Sequence, residues 1–260
     1  MFAPKEAGHA GFRSPLLIGP ILVGLLLLIG FVRREQRTMS PLIDLGLFRN
    51  TVFVTGNVAG LLSYAILFGA FFVLPFVLER AYGDSSLTAG LRLTVIPAAL
   101  GLVAPLSGAL YDRFGARFLT VSGMVTVLVS LLALSFVLEA GRLTLATALL
   151  ALFGIGQGLF TAPNNSAIMA SAAAEQSGQA GGVLFVMRSL GMSLGISLAS
   201  VILAWQRPVL PGRVQATLGI PAHLLVQGAV ASFIVFAALA GVAALLCFVR
   251  VEHDAPRTVE

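Results

Sequence analysis

Seven stretches of this 260-residue chain stay apolar for about twenty residues: 15–32, 52–78, 89–111, 117–138, 143–167, 180–205 and 227–250. An α-helix rises 1.5 Å per residue, so about 20 such residues cross the hydrocarbon core of a bilayer. No water reaches the backbone there, and a run of this length must close its hydrogen bonds within itself, as a helix does. Barrel strands need only about ten residues and alternate in polarity; these runs do not alternate. The expected fold class is all-α integral membrane, with about seven transmembrane helices. Charged residues make up 10% of the chain, where a soluble domain carries roughly a quarter. Such a chain cannot cover itself against water.

The sparse charges narrow the function classes. The balance is 16 Lys+Arg against 11 Asp+Glu, a net +5, but the basic residues are scattered between apolar runs. They form no stripe with interleaved aromatics, so nucleic acid is not an expected partner. The one cysteine, Cys247, excludes an intrachain disulfide and a Cys-based metal cage. His9, His223 and His253 all fall outside the apolar runs, and no metal site or cofactor is expected. "GIGQG" at 154–158 follows no strand and lies inside an apolar run, so it reads as a packing face rather than a nucleotide loop. Without a Ser/His/Asp set, paired acids or a zinc-helix motif near the spans, an enzyme is not expected.

The run 15–32 is followed by "RREQR" rather than a small-residue cleavage site, so it reads as a retained helix and not a signal peptide. Lys5 and Arg13 precede it; Arg33, Arg34, Arg37 and Arg49 follow it. The heavier positive side belongs in the cytoplasm. That sets residues 33–51 and the 111–117 connection inside, and the tail after Arg250 inside. Arg80, Arg142, Arg207 and Arg213 then fall outside, so the charge rule is obeyed only weakly.

Small residues four apart mark faces where helix backbones can approach: Gly56 and Gly60, Ala104 and Gly108, Gly154 and Gly158, Gly191 and Gly195. Pro75, Pro97, Pro105 and Pro163 lie within spans, where neighbouring helices can satisfy the freed carbonyls.

"GALYDRFGAR" (108–117) resembles the loop motif of the major facilitator superfamily, roughly G-x-L-x-D-R-x-G-x-R. Gly108, Leu110, Asp112, Arg113, Gly115 and Arg117 match it, while Ala116 replaces a residue that is often basic. The resemblance implies a cytoplasmic 111–117 connection between the second and third helices of a six-helix lobe. "SPLIDLGLFRNTVF" (40–53), "GIGQGLFTAPNNSAIM" and "GQAGGVLFVMRSLGMSLGIS" are similar to the fourteen-helix drug:proton antiporter branch. By that resemblance the chain is a C-terminal half: one inserted helix plus a six-helix major-facilitator-type lobe. Residues 1–51 hold the inserted helix and a cytoplasmic linker, 52–250 the lobe, and 251–260 a cytoplasmic tail. The expected location is the plasma membrane, crossed many times.

The resemblance further implies multidrug-efflux-type transport by alternating access, with membrane lipid around the chain. An apolar or cationic small molecule and protons would be the partners of the intact transporter. The opposing surface would come from a missing N-terminal lobe or a second copy. The alternative is a membrane fragment or half-subunit that stabilises a partner without transporting.

Asp112, Arg113 and Arg117, with Gly108 and Gly115, form the second-lobe copy of the family's gating loop, or else a solvated turn that fixes topology. Asn57, Ser63, Tyr64, Gln157, Asn164 and Asn165 are the substrate-path candidates, since the family lines its path with the first and fourth helices of each lobe. Each is equally able to act as a polar tie between helices. Phe68, Phe71 and Phe72 suit an apolar ligand or simple packing. Two charges lie inside spans: Arg92, near enough to an end to snorkel, and Arg188, which either snorkels or faces a cavity. No acid lies at mid-span, so proton-carrying carboxylates are expected in the absent half.

Overall fold

The computed structural model describes residues 44–205 and 221–249, together with residues 19, 22–24, 26–27, 29–30 and 33–34. The side chains of Leu45 and Asp112, the linker residues 35–43, the connection 206–220 and the tail 251–260 lie outside this description. Every described residue of 19–34 is helical, on the first apolar run. It belongs to a unit of its own, Met1–Leu45 with Leu210–Leu218.

The second unit carries six helices long and apolar enough to span a membrane: α1 (Thr51–Arg80), α2 (Ser86–Tyr111), α3 (Arg113–Glu139), α4 (Leu143–Ala170), α5 (Ser177–Trp205) and α6 (Ala222–Val249). Among the described residues there is no strand. Thirty helical residues cover about 45 Å, so α1 exceeds a hydrocarbon core of about 30 Å by a few turns. Its start is set by Asn50, whose side chain accepts from the backbone N–H of Val52 at 2.9 Å and of Phe53 at 3.4 Å. Ser85 caps α2 in the same way through Thr88 N–H.

The 111–117 connection is tighter than its sequence suggests. Helical geometry runs through it and is interrupted at Gly115, with φ 77° and ψ 161°. That region is essentially closed to residues with a Cβ. The turn between α2 and α3 is therefore a one-residue kink, and Gly115 is what permits it.

Glycines decide which helices meet. A Cβ on Gly154 would fall on the Ile96 backbone, and one on Gly158 would lie 3.0 Å from the Leu100 carbonyl, so this face of α4 lies on α2. Gly156, on the adjoining face, meets Gly123 of α3; a Cβ on either would lie 2.8 Å from the other's carbonyl oxygen. Gly191 and Gly195 of α5 lie against the Leu61 and Ala65 carbonyls of α1. Such close approach maximises dispersion contact where lipid supplies no hydrophobic drive between helices. Ala104 and Gly108 do not work this way. Gly108 is exposed, with nothing within 4 Å of the site a Cβ would take.

Helix α1 packs chiefly on α5 and α6, then on α4, and little on α2, which follows it in the chain. Phe236 of α6 fills the space over Gly69. Phe68, Phe71 and Phe72 pack partly buried against this core. At the end of the bundle near residue 82, the Tyr82 hydroxyl donates to the Leu138 carbonyl and ties the α1–α2 turn to α3. Helices α2 and α5 are the least covered, leaving Leu87, Leu91, Leu102 and Leu106, and Phe185, Val186, Leu190 and Leu194, exposed.

Candidate functional site

Helix α1 presents polar groups on two faces. Towards α4 they are all paired. Asn50 Nδ2 donates to the Ser171 carbonyl at 3.0 Å, and Asn164 Nδ2 to the Gly56 carbonyl at 3.0 Å. Ser63 Oγ donates to Gln157 Oε1 at 2.7 Å, and Gln157 Nε2 returns a bond to the Ser63 carbonyl at 3.4 Å. Ser63, Gln157 and Asn164 are buried. These three rungs pin α1 to α4, with an average worth of about 0.6 kcal/mol each for such bonds within membranes. Of the residues expected on a substrate path, Ser63 and Gln157 are thus committed to each other and do not line the cleft described next.

Towards α5 the picture changes. Asn57, Tyr64, Asn164 and Asn165 share a small cleft with Arg188, walled by Leu61, Ile168, Leu184 and Met187. Asn57 donates to the Phe53 carbonyl at 2.9 Å, but its Oδ1 is buried without a partner. The Arg188 guanidinium carbon lies 4.7 Å from the centre of the Tyr64 ring, a cation–π contact, and the Tyr64 hydroxyl interacts with Arg188 and Asn165. Arg188 Nε is nonetheless buried without an acceptor. The cleft volume is about 10 Å³, room for one water.

Arg188 sits deeper than its sequence context indicates. Helix α5 begins at Ser177, so Arg188 is about 16 Å along it, well inside the span. A cation at that depth costs about 3 kcal/mol or more unless it finds a partner. Of the two expectations, snorkelling or an inward face, the side chain takes the inward one, stacked on Tyr64.

Arg92 does not rely on snorkelling. Its Nε donates to Asp84 Oδ2 at 2.8 Å, and Nη1 donates to Thr147 Oγ1 at 2.9 Å. The charge is neutralised at the membrane edge while joining the α1–α2 turn to the start of α4. Asp84 was not singled out by sequence, although an acid eight residues before an in-span arginine was the available signal.

In the loop motif, Arg113 and Arg117 are both exposed. Arg117 lies over the Phe248 ring, 4.6 Å to its centre, which ties the start of α3 to the end of α6; Arg113 lies over Phe114 at 5.5 Å. The side chain of Asp112 lies outside the described residues. Among the described residues no three His, Cys, Asp or Glu groups come together to hold a metal.

Six long apolar helices and this motif invite comparison with known transporters. The sequence pattern of the Major Facilitator Superfamily matches residues 6–196. The chain belongs to this superfamily. It is 33% identical over 204 residues to the "Riboflavin transporter RibZ" of Clostridioides difficile, covering 78% of this chain and 43% of that protein. It is 31% identical over 192 residues to the "Multidrug resistance protein B homolog" of Mycobacterium tuberculosis, covering 72% and 35%. It is 30% identical over 189 residues to the "Methyl viologen resistance protein SmvA" of Salmonella typhimurium, covering 73% and 37%. The chain spans less than half the length of these curated relatives. As a major facilitator chain it is a multi-pass membrane protein of a transporter family, and not an enzyme.

Proposed function

We propose that this chain supplies the C-terminal half of a secondary active, multidrug-efflux-type transporter of the plasma membrane, working by alternating access. The observation that carries the reading is the polar cleft of Asn57, Tyr64, Asn165 and Arg188 set between α1, α4 and α5 inside apolar spans. Polar groups left open within a membrane are costly and mark paths for solutes. The uncovered faces of α2 and α5 offer the surface on which an opposing lobe would pack, and Arg113 the exposed charge of a gating loop. The apolar wall suits the apolar substrates expected, whereas a cationic one would have to bind away from Arg188.

Proton antiport belongs to the intact protein in this reading. Among the described residues, Asp44, Glu79, Asp84, Asp112, Glu139 and Glu175 all lie at helix ends or in turns, so in this reading a carboxylate titrating in mid-membrane comes from elsewhere in the intact protein. The same observation favours the second reading, a half-subunit that stabilises a partner without transporting. A chimera separates the two. This chain replaces the matching part of the riboflavin transporter, and proteoliposomes are assayed for riboflavin and dye flux. Flux above empty liposomes, altered by Tyr64→Ala, is the expected result. A chimera that inserts fully yet moves no solute would favour the non-transporting reading.

A further inference from the structure

Arg188 is a cation in search of an anion. The ion pair of Arg92 with Asp84 lies far along the bundle, at the opposite end of α2 from the loop motif. The Tyr64 ring covers one face of the guanidinium and its hydroxyl interacts with the same group, but neither satisfies Nε. The fork of donors that suits a carboxylate is therefore left incomplete at Nε. In the same cleft Asn57, 3% exposed, holds an acceptor without a donor. The two open groups have different needs: Arg188 Nε takes an anionic oxygen, while Asn57 Oδ1 takes a donor such as a water beside it.

We propose that the Arg188–Tyr64–Asn57 cleft is an anion anchor that takes the carboxylate of an apolar organic acid. The inference rests on the transport reading for its biological setting, though not for its chemistry. The room beside Arg188, about 10 Å³, admits one oxygen of a charged head and not a drug-sized body. The body lies along Leu61, Leu184 and Met187, which wall the same cleft. A lipid phosphate on Arg188 is separated by the test, since in a zwitterionic bilayer it would occupy the cleft and leave no saturable naphthoate binding. A cationic head is excluded by the guanidinium itself.

The test uses the whole chain in nanodiscs of zwitterionic lipid and three fluorescent probes of one shape: 2-naphthoate, the neutral 2-naphthamide and cationic 2-naphthylmethylammonium. Naphthoate is expected to bind about tenfold more tightly than the amide, the worth of one charge-assisted hydrogen bond pair, with the cation weakest. Arg188→Gln should abolish the preference and Arg188→Lys should keep part of it. The comparison of probes on the unaltered chain decides the matter even where a variant fails to insert. Equal affinities, no saturable naphthoate binding, or an unchanged preference in an inserted Arg188→Gln variant would each overturn the proposal. So would loss of the preference in the riboflavin-transporter chimera, which would assign the anion to a carboxylate of the remaining protein. A chimera that binds naphthoate but moves no solute leaves the anchor standing and breaks the transport reading alone.

Discussion

The two polar faces of α1 are built from the same residue types to different ends. Facing α4, Asn164, Ser63 and Gln157 use their donors and acceptors on one another and on backbone carbonyls. Facing α5, Asn57 and Arg188 each keep a buried polar atom open. In a solvent that cannot hydrogen-bond, a closed set holds helices together and an open set is a standing cost. The lesson is that polarity within a span does not mark a solute path by itself. Incomplete pairing is the feature on which the proposed path rests.

The largest effect should come from breaking the contact that frames the open face. Gly195→Leu places a side chain on the Ala65 backbone of α1, which cannot move aside cheaply. Cys247, the one cysteine and 1% exposed, reports folding through its reaction with a thiol dye on heating. Gly195→Leu should react at room temperature, whereas Gly108→Leu, on an open surface, should melt with the wild type. A protected Gly195→Leu protein would show that the α1–α5 approach is looser than described.

A smaller contrast tests the faces directly. Asn164→Ala and Asn57→Ala remove the same atoms from α4 and α1. The first loses an interhelical bond and should lower stability by about 1 kcal/mol, while the second removes an unpaired acceptor along with a bond inside its own helix, to the Phe53 carbonyl, and should stay within about 0.5 kcal/mol. Equal losses in the thiol-dye melt would erase the distinction between seam and cleft.

The smallest effect lies outside the membrane. Burial raises the Tyr82 hydroxyl above its ordinary value of 10.0, so the fold favours the neutral phenol. The stability this gives is present below pH 10 and is lost as pH rises through the raised value, because the unfolded chain ionises first. Tyr82→Phe should lose the tie to Leu138 at neutral pH yet decline less steeply between about pH 10 and 12. Parallel melting curves across that range would rule out a neutral, buried Tyr82.

Much of the bundle was legible because a span announces itself by length. The six runs from 52 to 250 became α1 to α6 with ends shifted by a few residues. The start of α5 at Ser177, three residues before the expected 180, carried Arg188 deeper. Glycine spacing gave the correct faces at Gly154, Gly158, Gly191 and Gly195, but failed at Gly108, where the same spacing meets open space. A four-residue repeat defines a face on one helix and says nothing about whether a second helix arrives there.

The sequence by itself determined that this chain is a membrane-spanning helical protein of the major facilitator type, because apolar length and one charged loop motif are local properties. It also supplied the residues of the cleft, Asn57, Tyr64, Asn165 and Arg188. Only the tertiary structure divided those polar residues into paired and unpaired, setting Gln157 on Ser63, Arg92 on Asp84 and Arg188 on Tyr64. Each of those partnerships depends on which helix lies beside which, and hydrogen bonding and cation–π contact act over a few ångströms of space whatever the distance along the chain.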